Sequence, residues 1–213
     1  MVRGNGKVYA GNPKDQEAAV FYALSLLVSE PQDDKTLANS RKAIEILSRL
    51  LEEAPSHPGA AYYLIHAADN PNLAALGLPA ARRYAQIAPA VPHTLHMPSH
   101  IFARLGLWQE DIQSNLASLG AAKLASTIHI GAENQVHAME FLEYGYLQIG
   151  LENKAKEMID QLQSVREEDL NPGLDGYLDW QRAQFPARHP WNCAIGKRPR
   201  RLSLQRQNRV PGR

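Results

Sequence analysis

From Pro13 to Val165 the apolar residues recur every three or four positions between breaks made by proline and glycine, and no stretch alternates apolar with polar as a half-buried strand does. A chain with that single period buries its apolar faces helix against helix, so the fold class we expect is all-α. The first helix carries Pro13 in its first turn and Asp15 and Glu17 near its positive end, and its EAAVFYALSLLVS run is apolar on most sides. A second, from about Lys35 to Ala54, sets Leu37, Ala43, Ile44, Leu47, Leu50 and Leu51 on one stripe. Further helices are expected over His57 to Asp69, Pro79 to Ala88, Pro92 to Trp108, Trp108 to about Leu124, about Asn134 to Ile149 and Asn153 to Val165. The segment NPNLAALGLP reads as a long connection.

Paired helices with short turns call for a search for repeats. Ala43, Leu47 and Pro55 reproduce one stretch of the tetratricopeptide consensus, and Ala80, Tyr84 and Pro92 reproduce it again at slightly more than the roughly 34-residue period. Leu105-Gly106-Leu107-Trp108 and Ile149-Gly150-Leu151-Glu152 place a glycine at a second kind of joint. The chain thus resembles a divergent tetratricopeptide-repeat (TPR) protein over residues 13–170, with about four repeats. The segments HPGAAYYLIHAADNP, GLPAARRYAQIAP, PHTLHMPSHIFARLGLW and HAMEFLEYGYLQIG resemble a group of bacterial repeat proteins of unassigned activity. That resemblance implies a right-handed superhelix of antiparallel helix pairs, an α-solenoid, in a chain that is a fragment of a longer family pattern. It also implies that the first helix of each pair lines the concave side.

Within the stretch from Pro92, His93, His96, His100 and Arg104 stand at i, i+3, i+7 and i+11, one face of a helix, with Leu95, Ile101, Phe102 and Leu105 opposite. The implied inward register adds Tyr62, His66 and Asp69 from the preceding repeat and His137, Glu140, Tyr144 and Gln148 from the following one. The expected function is a scaffold that binds a peptide or partner protein in this histidine-lined groove. The alternative is a metal-binding protein or metal-dependent hydrolase that uses His66, His96, His100 and His137, with Asp69 or Glu140 available as further donors. Zinc is the default ion for such a set, and no other cofactor is expected. Pro98, between His96 and His100, tests the register on which both readings rest. Ser99 beside these histidines lacks a nucleophile-elbow glycine motif, so a serine hydrolase is disfavoured and an enzyme is the less favoured class.

Composition sets the limits. With 44% hydrophobic residues in 213, the chain can bury a substantial core. A single cysteine, Cys193, excludes intrachain disulfides and thiolate clusters. No apolar run nears the roughly 18 residues a membrane span needs, and residues 1–13 lack the core of a secretory signal, so a soluble, cytoplasmic protein is expected. All 22 acidic residues precede residue 180, whereas Lys197 and eight arginines follow it. Residues 1–12 are accordingly expected as a flexible leader, and residues 171–213 as a basic, disordered tail that could meet nucleic acid only through phosphate contacts. A shifted reading frame after about residue 187 is the other account of the tail. Uncovered end faces of such an array make self-association plausible.

Overall fold

The structure is a computed structural model that describes residues 1–125, 132–166, 178–179 and 181–182. Ten helices run through these residues: α1 (Val2–Gly11), α2 (Gln16–Val28), α3 (Ala38–Glu53), α4 (Pro58–Ala68), α5 (Ala74–Tyr84), α6 (Pro92–His96), α7 (Pro98–Leu105), α8 (Trp108–Ala125), α9 (Ala132–Gln148) and α10 (Glu152–Leu162). No strand occurs among the described residues. Each helix packs on a sequence neighbour, α5 lies on α4 and α7, and α4 meets α2 and α7 while α9 meets α6, so the first helices of successive pairs also lie side by side. That arrangement of α2/α3, α4/α5, α6–α7/α8 and α9/α10 is the repeat array the spacing predicts. No described helix is long and apolar enough to cross a membrane.

Local chemistry sets the boundaries. Asp15 caps α2, its carboxylate accepting from the amides of Glu17 and Ala18. Pro13 therefore lies outside the helix rather than in its first turn. His57 caps α4: its Nδ1 accepts from the Ala60 amide at 3.3 Å, ahead of Pro58 in the first turn. Gly106 and Gly150, at φ of 70° and 75°, end α7 and α9 in the left-handed conformation, and the amides of Leu107 and Leu151 reach back to the carbonyls of Phe102 and Tyr146. Both are Schellman closures, which glycine adopts without strain.

Three sequence expectations need correction. The leader is helical: α1 lies on α2, with Tyr9 stacked on Tyr22 at 5.6 Å and the Asn5 amide donating to the Phe21 carbonyl. Tertiary contact overrides the low helix propensity of its glycines. The connection over residues 70–79 is largely the start of α5, with Pro79 inside it, because Leu73 and Ala74 are buried and Gly77 meets the preceding helix. The folded region also extends past 170, since Leu178 is fully buried in the second core and Arg182 Nη2 donates to the Val165 carbonyl at 2.7 Å. The remainder of the expected tail, including the shifted reading frame, lies outside the described residues.

The core is divided. One apolar cluster runs from Ala19 to Phe102, through Ala43, Leu47, Ile65, Ala80 and Ile101; another runs from Ile112 to Leu178, through Val136, Met139, Leu142 and Leu162. One close approach within the first cluster is at Gly77, where a Cβ would stand 2.7 Å from Ala68 Cβ and 3.0 Å from Ile101 Cδ1. Gly77→Ala and Ala43→Leu should each cost on the order of 1–3 kcal/mol by overpacking. Thermal melts read this, and unchanged melting of both variants would contradict the packing register.

Candidate functional site

The stretch from Pro92 is two helices, not one. Pro98 opens α7, yet Met97 between them keeps helical angles (φ −50°, ψ −37°), so the turn count is preserved across the joint. His96 and His100 therefore stay one helical turn apart, and their Nε2 atoms come to 3.0 Å. From the facing helix α9, His137 brings its ring to 4.4 Å from His96 and 6.1 Å from His100, centre to centre. One nitrogen from each of His96, His100 and His137 lies within 4.8 Å of the other two. Phe141, one turn beyond His137, packs edge-on or tilted against all three rings at 4.7–5.3 Å.

The outer atoms of this trio are held. Asp69, which caps the end of α4, accepts from His100 Nδ1 at 3.0 Å and from Arg104 Nε at 2.7 Å. Burial works to raise the Asp69 carboxyl, but the hydrogen bond from His100 and then the His100 and Arg104 charges hold it below its ordinary value. His96 Nδ1 lies 2.7 Å from Asn115 Oδ1. The orientation of that amide follows from its other end, because Asn115 Nδ2 donates to the Asp111 backbone carbonyl at 2.9 Å, which only an N–H can do. His96 Nδ1 must then carry the proton. His137 Nδ1 stands 3.5 Å from the buried Glu140 carboxylate.

Two protonated Nδ1 atoms leave two unprotonated Nε2 atoms, and in neutral rings those lone pairs face each other at 3.0 Å. Such a contact is repulsive between neutral rings; a proton on His100 Nε2, the charged form that helps hold Asp69 low, makes it an ordinary hydrogen bond, and a cation between the two nitrogens relieves it too. A proton on His96 is opposed by its surroundings: burial first, then His137 and His100, press it well below its usual range, against the hydrogen bond with Asn115.

The other expected groove residues form a second row. Tyr62 receives the edge of His66 at 4.5 Å, and its hydroxyl meets His93 Nε2 at 3.3 Å. His66 is therefore near the trio without joining it. Desolvation, and then the charge of His100, lower His66 to about 4 although the residue as a whole is exposed. Tyr144 packs on Trp108 at 5.7 Å instead of lining the histidines. Ser99 is fully buried, with its Oγ 3.4 Å from His96 Nδ1, so no substrate reaches it. Asn115 and Phe141 were not anticipated. The signal for Asn115 was present: Asp111, Asn115 and Ser118 form a polar stripe at i, i+4 and i+7 on α8, and all three are fully buried.

The fold is similar to MamA from Desulfovibrio magneticus RS-1, with a TM-score of 0.60, 13% identity, and 77% of this chain and 82% of that one covered. MamA AMB-1 aligns with a TM-score of 0.57 and 18% identity over 78% of this chain and 86% of that one. The chain folds as a TPR-like array. At these identities the likeness bears on the fold alone. No family model and no curated protein matches the chain.

Proposed function

We propose that this repeat protein binds a divalent metal ion of the zinc class through His96, His100 and His137. The observation that carries the reading is the pair of Nε2 atoms 3.0 Å apart whose Nδ1 partners are both spoken for. Two imidazoles on a tetrahedral ion, at about 2.0–2.1 Å each, place their nitrogens about 3.4 Å apart, so small ring rotations suffice. Asp69, Asn115 and Glu140 then act as the acceptors that fix ligand tautomers, the usual partners of metal-bound imidazole. A shared proton would satisfy two lone pairs; an ion also engages His137. Three protein ligands leave a fourth position for water or a donor from a partner.

A second reading, a scaffold whose groove receives a peptide, a partner protein or another copy of this chain, draws support from the repeat fold and from the exposed row of His66 and His93. An acidic peptide finds less there than the sequence promises, since Arg104, its expected anchor, is engaged at 2.7 Å by Asp69. Calorimetric titration separates the readings. Zinc should bind at one equivalent per chain and the heat should vanish with a chelator, whereas a peptide groove gives salt-sensitive, chelator-indifferent binding. No zinc heat at any pH between 6 and 8 would remove the metal reading.

A further inference from the structure

The metal centre proposed above sits where the two apolar cores meet, and its ligands come from both sides. His96 and His100 belong to α6 and α7, whose apolar residues Met97, Ile101 and Phe102 are part of the first cluster; His137 belongs to α9, whose Val136 and Met139 are part of the second. No residue is shared between the clusters. The layer where α6 and α7 pack on α8 is instead polar and buried: His96, with Ser99 beside it, meets Asn115, and Ser118 reaches Pro92, these four polar side chains each 2% exposed or less. Side-chain bonds to backbone carbonyls cross it, from Ser114 to Leu95 and from Ser118 to Pro92, together with the bond between His96 and Asn115.

Such a layer is held differently from the cores on either side. Apolar area withdrawn from water resists re-exposure, whereas hydrogen bonds between neutral groups contribute only about 0.5–1.5 kcal/mol each because water can replace the partner. In a repeat array each unit touches only its neighbours, so one weak joint can open without unfolding either half. The chain crosses this joint once among the described residues, at the Gly106 turn between α7 and α8.

Resting on the metal reading, we infer that the ion is a clasp: by bonding His96 and His100 on one side and His137 on the other, it holds the two half-arrays at one angle, so that metal occupancy sets the curvature of the groove. Metal–nitrogen bonds of about 2.0–2.1 Å tolerate far less displacement than a hydrated polar layer does. The device is a regulated hinge whose effector is a divalent cation.

Spin labels on the two halves read it directly, in the full chain with Cys193 replaced by serine, at Glu52→Cys on α3 and Asn153→Cys on α10, both exposed positions. With one equivalent of zinc the inter-label distance distribution should narrow about twofold and broaden again with a chelator, as expected of a population shift to one state. His137→Ala, or His137→Gln should the alanine variant misfold, keeps the His96 and His100 pair; its distribution should stay broad when zinc is added. Zinc uptake by the parent chain with an unchanged distribution overturns the clasp and leaves the metal centre standing. Equal narrowing in the His137 variant also overturns it. Absence of zinc uptake overturns both.

Discussion

His100→Ala should abolish most of the zinc affinity, because it removes one of the two facing Nε2 atoms and cuts His96 off from Asp69 and Arg104. The effect should separate by position. Asp69→Asn, which leaves every ligand in place but replaces the carboxylate that orients His100, should weaken zinc about 10- to 100-fold. His66→Ala should change little, since His66 packs on Tyr62 and is not among the three converging nitrogens. Competition against a chromogenic chelator measures all three on one scale. Equal loss in His66→Ala and His100→Ala would contradict the assignment of ligands, and full affinity in His100→Ala would end it.

A second large effect is expected at Asp111, through pH and not through metal. Asp111 is fully buried on α8 against Gly145; Asn115 donates to one of its oxygens at 3.3 Å, while the other oxygen has no hydrogen-bond partner. Burial raises its carboxyl from 3.8 to about 8. The folded state therefore binds this proton more tightly than the unfolded chain does. The contribution to stability is whole below about pH 4, declines as pH rises by at most about 1.4 kcal/mol per unit, and is lost once pH passes about 8. Asp111→Asn takes away the ionisation and should flatten that slope. It should raise stability at pH 8 by several kcal/mol and leave it nearly unchanged at pH 4. Denaturant melts at the two pH values check this. A variant that is equally affected at both would show that Asp111 does not titrate in this range.

Some of these features could be read before the fold was known, and others could not. The helical period, the proline and glycine breaks and the Ala43/Leu47/Pro55 and Ala80/Tyr84/Pro92 spacing depend on near neighbours in the chain. Those specified the helices and their pairing, as did the glycines at 106 and 150, which the turns require at positive φ. The facing of His96 and His100 was equally local, being one helical turn, although Pro98 could have broken it and did not because Met97 keeps helical angles. Helix starts were less legible. Leu73 and Ala74 begin α5 because their surface is buried by other helices, and α1 forms because Tyr9 finds Tyr22, neither of which propensity contains.

Local pattern alone specifies an all-helical repeat with imidazoles on the first helices of its pairs, because period and breaks act over a few residues. Which of those side chains meet is set by the packing of the helices on one another. It brought His137 to His96 and His100 while leaving His66 with Tyr62 and Tyr144 with Trp108, and it supplied Asn115 from an outer helix to fix the His96 tautomer. The physical reason is that helical spacing specifies a face to within a wide angle, whereas a lone pair selects its partner within a few tenths of an ångström. That precision comes from the packing of α4, α6, α7, α8 and α9 on one another.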